Sequence, residues 1–182
     1  MHPYTARFAT RTKTVRLRPL DSPALLQQAV DWLNQKDNAQ WLDFGDGCQT
    51  VSTAWLRIGM QRGTYVVRLF TSDTDDTPIG VVGLSNVHPH FKTANIWIVL
   101  GDKSYANRGC GSEAASKMLT LGFTELGLRA INTWIAEPNH SIRIAERLKF
   151  RFIGRQRQCH VIDGRPYDRL LFDLLASEHT ER

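Results

Sequence analysis

Asn107-Arg108-Gly109-Cys110-Gly111-Ser112 places two glycines two residues apart, between the apolar run Ile96-Trp97-Ile98-Val99-Leu100 and a helically patterned segment reaching Leu126. Strand, glycine turn and helix start together make an anion cradle. The N–H groups of a helix's first turn have no partner inside the helix, and the helix dipole adds about half a positive charge at that end. Glycine lets the backbone approach an anion closely and adopt positive φ. The chemistry offered is phosphate or pyrophosphate binding. A plain tight turn fits the same glycines. The spacing matches neither familiar nucleotide loop: Ala114 stands where a dinucleotide fingerprint has its third glycine, and the Gly-Lys-Ser/Thr of a Walker loop is absent.

The wider pattern decides between these readings. Tyr105 through Ala114 (YANRGCGSEA), followed by Asn139-His140-Ser141-Ile142-Arg143 and Ala145-Glu146-Arg147-Leu148-Lys149-Phe150, resembles the GNAT N-acetyltransferase superfamily. Within it the resemblance is to the branch that acetylates the N-termini of ribosomal proteins. The likeness runs from about Val15 to Leu175. It departs from the family pattern at Ala106, where an Arg or Gln usually opens the loop, and at Lys149, where Leu-Gly-Phe has its glycine. Asn139 also precedes Ser141 by two residues instead of three. Arg108 can supply the charge missing at Ala106.

The resemblance implies an α+β fold: a mixed, mainly antiparallel twisted sheet flanked by helices, with a central strand-loop-helix coenzyme-A site. It implies acetyl coenzyme A as co-substrate. The residues expected to hold it are Ile98, Val99 and Leu100 on the strand, Asn107, Arg108, Gly109, Cys110, Gly111 and Ser112 in the loop, and Asn139.

Acetyl transfer from a thioester to an amine asks that the amine lose its proton, the oxyanion find a donor and the thiolate gain a proton. Juxtaposition alone is worth about 7 to 11 kcal/mol, so a poised base is optional. Many relatives use a Glu on the central strand, where Asn95 stands and cannot take a proton. Others carry a carboxylate on the penultimate strand, a place matched here by His160, whose reference pKa of about 6.5 suits a base. An ordinary surface or core histidine fits that position too. Cys159 points to the opposite face of the strand, so the two form no nucleophilic pair. For the acid, many relatives use a Tyr where Ala145 stands. The ribosomal branch implies Ser141, which could equally cap a helix. Glu137 is placed to orient water or bind the acceptor amine; Asp102 and Asp168 are weaker carboxylates. His88 and His90 have strand spacing but no third ligand, so no metal site is expected.

The elements that must position these groups follow from the pattern. Thr14–Leu20 alternates as a strand, and Asp21 or Ser22 caps a helix begun by Pro23. Lys36–Gln49 reads as a loop in which Trp41, Leu42 and Phe44 form either a lid or an anchor to the core. A helix over Thr50–Gln61 puts Val51, Ala54, Trp55 and Ile58 on one face. Tyr65–Phe70 and Ile79–Val87 make a hairpin, and Thr93–Leu100 is the central strand. A helix over Ser112–Leu126 carries Ala115, Met118, Leu119, Gly122, Phe123 and Leu126 on its stripe. A right-handed crossover then makes Ala130–Ala136 parallel to the central strand. Asn139 caps a short helix to Leu148, and Asp163-Gly164 turns a last hairpin of Phe152–Val161 and Tyr167–Leu175.

At 182 residues, one domain over 14–176 is expected, between an N-terminal arm (1–13) and a C-terminal tail (177–182). No apolar run reaches the roughly 18 to 20 residues that cross a membrane, and the N-terminus shows no signal-peptide core. Cys48, Cys110 and Cys159 form neither a metal pair nor a disulfide frame, which points to a reducing cytoplasm. The net charge of +5 suits a polyanionic ligand, an anionic acceptor or simple solubility. The absence of a basic stripe with interleaved aromatics argues against nucleic acid. The expected partners are acetyl coenzyme A and an amine acceptor, with a homodimer left open. The reading is an acetyl-coenzyme-A-dependent N-acetyltransferase working by direct attack in a ternary complex. The alternatives are an amino-sugar or other small-amine acetyltransferase, and an inactive acyl-coenzyme-A-binding or nucleic-acid-binding module.

Overall fold

The computed structural model describes residues 14–45 and 50–181. The expected arm at 1–13, and Cys48 with its neighbours, lie outside those residues. The elements in chain order are β1 (Val15–Pro19), α1 (Pro23–Asn34), α2 (Lys36–Ala39), α3 (Thr53–Gln61), β2 (Tyr65–Ser72), β3 (Pro78–His88) and β4 (Thr93–Leu100). A 3-10 turn (Lys103–Tyr105) leads to α4 (Cys110–Thr124), β5 (Ala130–Ala136), α5 (Ile142–Arg147), β6 (Arg151–Ile162) and β7 (Arg165–Leu175).

The strands form one seven-stranded sheet in the order β1-β2-β3-β4-β5-β7-β6. Every neighbouring pair is antiparallel except β4–β5, joined in parallel through α4. This is the mixed, mainly antiparallel architecture expected of a GNAT fold.

Period-two alternation sends side chains of one strand into two different cores. From β4, Ala94, Ile96 and Ile98 pack with Ile131 under the buried stripe of α4, which includes Ala115, Met118 and Leu119. From the other face, Trp97 and Val99 join Val67, Leu69 and Val81 under α1 and α3. The indole of Trp97 lies flat on Gly83, where a Cβ would come within 2.3 Å of the ring; only glycine lets it pack there.

Ser22 caps α1, accepting from the Leu25 N–H, and Pro23 opens it. Four sequence-based expectations shift. Lys36–Ala39 is a helical turn instead of loop. α3 starts at Thr53, because Ser52 accepts from the Trp55 N–H and fixes the first turn. It buries Leu56 and Gly59, while Ala54, Trp55 and Ile58 stay exposed. The helix is therefore rotated from the expected face, with Trp55 held by ring contacts to Phe44 and Tyr65. α4 runs from Cys110 to Thr124, so its stripe begins earlier, at Cys110 and Ala114, and Leu126 is exposed beyond its end. Leu42 is buried and Phe44 stacks on Trp97, which makes the loop an anchor rather than a lid.

Candidate acceptor and coenzyme cleft

β4 and β5 pair only from Thr93↔Ala130 to Asn95↔Asn132, and beyond that register the ladder stops. At the point of divergence the Thr133 hydroxyl donates to the Ile96 carbonyl at 3.0 Å. The rest of β4, through Ile98, Val99 and Leu100, keeps β3 on one side and has no ladder partner on the other, which makes that edge the candidate cleft. Strand-edge N–H and C=O groups of this kind pair with an extended amide chain.

The glycine turn lies at the end of that cleft. Asn107 (φ 62°) and Gly109 (φ 84°) both sit in the left-handed region, with Arg108 between them. Asparagine tolerates that conformation and glycine adopts it freely. Alternating hands curl successive N–H groups into an anion-binding hollow. Gly109 is the residue before α4 and brings no side chain to cap it, which suits a helix start that presents N–H groups to a ligand. The Arg147 guanidinium from α5 lies 3.8 Å from where a Gly109 Cβ would stand, and Arg108 lies over the Tyr105 ring. Two cations therefore flank the turn. These features fit a pyrophosphate: shaped backbone donors, a helix N-terminus and flanking positive charge. Cys110 is buried inside the turn, which suits packing rather than contact with a ligand.

Ser141 opens α5 but does not cap it with its side chain; its own N–H donates to Asn139 Oδ1 at 2.9 Å. Asn139 does the capping work, and its oxygen is consumed by it. What remains to Asn139 for a coenzyme contact is its amide N–H₂. The Ser141 hydroxyl is left to other partners, and one turn later Ile144 packs 3.4 Å from the Cβ direction of Gly111. Helix α5, which Ser141 opens, thus packs beside the start of α4.

His160 is only 3% exposed. Its Nε2 lies 2.7 Å from the Gln40 carbonyl oxygen, and Arg169 Nη2 donates to Nδ1 at 3.0 Å. A carbonyl can only accept and a guanidinium can only donate, so Nε2 carries the proton and the ring is neutral. Burial lowers its pKa, and the Arg169 charge adds to that; the Gln40 bond and Asp43 pull partly the other way. Both ring nitrogens are occupied. The sequence-based role of general base is therefore not available to His160 in this arrangement.

Arg169 also donates to Asp43 Oδ2 at 2.8 Å and stacks on Trp134 at 3.8 Å. Burial raises the Asp43 carboxyl, but the Arg169 bond, the Gly45 N–H and the guanidinium charge outweigh it and hold the pKa below its usual value.

The other carboxylates are turned elsewhere. Glu137 is exposed and pairs with Arg155 at 3.4 Å, which also binds Asp168 at 3.0 Å. The Gln158 N–H is the largest cause lowering the Asp168 pKa, and Asp102 caps the 3-10 turn through Ser104. His88 accepts from the Phe91 N–H, and both His88 and His90 pack on the Phe91 ring. Cys159 is exposed, its thiol donating to the Gln156 carbonyl, on the opposite side of β6 from His160.

Residues 14–151 match the family model for the Acetyltransferase (GNAT) domain. The chain belongs to the GNAT acetyltransferase family. It is 30% identical over 112 residues to an uncharacterised N-acetyltransferase, p20, of Bacillus licheniformis, a match covering 61% of this chain and 62% of that protein. It is 25% identical over 181 residues to the ribosomal N-acetyltransferase YdaF, so named on a putative basis, of Bacillus subtilis (strain 168), covering 91% and 92% of the two chains. Among solved structures it is similar to a spermidine N-acetyltransferase from Vibrio cholerae in complex with CoA and spermine. That match has TM-score 0.78, 19% identity and coverage of 91% and 97%.

For a GNAT chain, three residues here carry no motif that sequence reading could have used: Asp43, Trp134 and Arg169 come from separate elements and meet only on folding. Arg147, near Gly109, had a visible signal, since it ends the short helix of the family pattern.

Proposed function

We propose that this protein is an acetyl-coenzyme-A-dependent N-acetyltransferase that passes the acetyl group to a primary amine by direct attack in a ternary complex. The observation that carries the reading is the cleft between β4 and β5, ending on the uncapped helix start at Gly109. Arg108, Gly109, Gly111, Ser112 and Arg147 hold the pyrophosphate, and Ile98 to Leu100 hold the pantetheine arm along the strand edge. Asn139 contributes an amide donor. Acetyl coenzyme A supplies an activated thioester. Ser141 passes a proton to the departing thiolate and regains one from the nitrogen of the attacking amine, which must shed it once it is acylated.

None of the base candidates read from the sequence is free at the cleft: Asn95 is not basic, His160 is occupied and Glu137 pairs with Arg155. Such a site favours an amine that is already partly neutral near pH 7. A peptide α-amine, with a pKa of about 7.7 to 8.0, meets that condition; a lysine-like amine at about 10.4 does not. This supports a protein N-terminus as acceptor, in line with the ribosomal relative. The net charge of +5 favours a second reading, an amino sugar on an anionic carrier. We place the protein in the cytoplasm, where the thiols of Cys110 and Cys159, outside any disulfide, stay reduced. Exposed Phe152, Ile153 and Val161 on edge strand β6 support self-association, measurable by light scattering.

The deciding experiment is thiol release from acetyl coenzyme A with a panel: short peptides with free α-amines, spermine and amino sugars. Turnover with peptides alone supports the first reading. Turnover with none, together with tight acetyl-coenzyme-A binding, makes the protein an inactive binding module.

A further inference from the structure

The segment Gln40–Phe44 touches both sides of the open cleft. Phe44 stacks edge-on to Trp97 of β4, with centroids 5.4 Å apart. Asp43 pairs with Arg169 of β7, and the Gln40 carbonyl accepts from His160 of β6. The segment therefore crosses from the β4 side to the β5-β7-β6 side, on the face that carries Trp97 and Trp134 and away from α4. Its far end is fastened by one connected set. His160 binds Gln40 and Arg169; Arg169 binds Asp43 and lies on Trp134; the His160 ring is 5.3 Å from the Trp134 ring.

We propose that His160 is a positioning residue whose neutral ring locks Arg169 and the Gln40–Phe44 segment into one clamp that shapes the acceptor side of the cleft. This rests on reading that cleft as the acetyltransferase site. The physics is a matter of donor count. Neutral His160 offers one donor to a carbonyl and one lone pair to a guanidinium, which is what its two neighbours require. A second proton on Nδ1 removes the lone pair and sets two cations face to face at 3.0 Å separation of their nitrogens. Arg169 must then turn away, and its hold on Asp43 and its seat on Trp134 change with it.

The groups facing His160 are few. On β7 they are Arg169 and, opposite in register, Tyr167. From the segment come Asp43 and the Gln40 carbonyl, and from β5 the apolar ring of Trp134. Asp43 is the single anion among the described residues facing the ring, and it is already paired with Arg169. It cannot compensate a histidinium without releasing the arginine.

The first test uses the wild-type protein without any acceptor. Nitrogen NMR of His160 reports tautomer and titration, and amide hydrogen exchange reports the segment, where the Trp41 and Leu42 N–H groups, and the adjoining Gly45 N–H, are hydrogen-bonded. The expected result is an Nε2–H tautomer, and segment amides that open several-fold more, beyond the intrinsic trend, as His160 protonates. His160→Asn keeps an acceptor for Arg169 and cannot titrate, so its segment should lose that pH-dependent component. In kinetics with a short α-amine peptide, His160→Ala should raise the acceptor KM several-fold with little change in acetyl-coenzyme-A affinity, and His160→Asn should recover part of the loss. An Nδ1–H tautomer, or a segment indifferent to His160 protonation, overturns the clamp. A panel in which no amine is turned over counts against the enzymatic reading alone, since the NMR and exchange results stand without it.

Discussion

The Thr133 hydroxyl donates to the Ile96 carbonyl at 3.0 Å, one residue beyond the last β4–β5 ladder pair. A side chain thus takes over where the backbone ladder ends. Without it the Ile96 oxygen would lose its partner at a part-buried site. Thr133→Val should cost about 1 to 3 kcal/mol, the range for removing one partner of such a bond. Urea unfolding measures this. Because the same contact fixes where the strands part, acetyl-coenzyme-A affinity by calorimetry should fall with it. A variant of unchanged stability and affinity would show the bond to be incidental.

The two loop glycines should behave differently. Gly109 has φ 84°, a conformation that costs other residues about 1 to 3 kcal/mol, so Gly109→Ala should destabilise the fold. Gly111 has no such φ, and an added Cβ would meet Ile144 and Ile98 at 3.4 and 3.6 Å, ordinary contact. Gly111→Ala should therefore fold normally. Gly111→Val adds bulk beyond that contact at the start of α4 and should weaken acetyl coenzyme A about tenfold or more. Equal affinity of the Val variant by calorimetry would remove the turn from the coenzyme site.

Ser141 and Asn139 separate chemistry from capping. The Asn139 oxygen accepts the Ser141 N–H, so Asn139→Ala should cost about 1 kcal/mol of stability. Ser141 caps nothing with its hydroxyl. Ser141→Ala should leave the melting temperature in place while lowering kcat more than it raises the coenzyme KM. The opposite pattern, lost stability and intact kcat, would return Ser141 to a structural role.

The elements themselves were legible because each has a local cause. Ser22 and Pro23 announce α1, Asp163-Gly164 announces the last hairpin, and Ala130–Ala136 appears with its expected ends. The face of α3 was misread for a physical reason. Trp55 looks like core by composition, yet its ring is held at the surface by Phe44 and Tyr65, and Leu56 takes the buried position. The coenzyme loop was readable as backbone chemistry, which depends on adjacent residues. The surroundings of His160 were not: Gln40 lies 120 residues away and Arg169 belongs to another strand. No spacing rule could say whether its nitrogens were free.

Acid should destabilise the protein through both members of the clamp. Burial and Arg169 lower the His160 pKa in the fold, so the unfolded chain binds the proton first, near its ordinary value of about 6.5. Where the unfolded state holds more protons, stability rises with pH. The His160 contribution is thus present above about pH 6.5 and is lost as pH falls below it, until the folded form also protonates. The Asp43 carboxyl is lowered in the fold, so its contribution is present above its ordinary range and lost further into acid, as pH falls through the folded value. Urea midpoints followed from pH 8 down to about pH 2 should fall in that order. In His160→Asn the first fall should be smaller, and a curve identical to wild type would assign it to other groups.

The absence of a free base makes a kinetic prediction that belongs to the acceptor rather than to the enzyme. If proximity supplies the rate, the neutral amine is selected from solution, and the acidic limb of kcat/KM follows the amine's own pKa. With an α-amine peptide the limb should lie near 8. With an otherwise matched peptide that is blocked at its N-terminus and presents only a lysine amine, any residual activity should have its limb moved up by about 2 units or more, since the reference values are about 7.7 to 8.0 and 10.4. His160→Asn should keep each limb where it was, because the ring is neutral and both its nitrogens are bound across this range. A limb that stays at one pH for both acceptors would belong to a protein group. Glu137 released from Arg155 would then be the first residue to substitute, as Glu137→Gln, with loss of that fixed limb as the result that identifies it as the base.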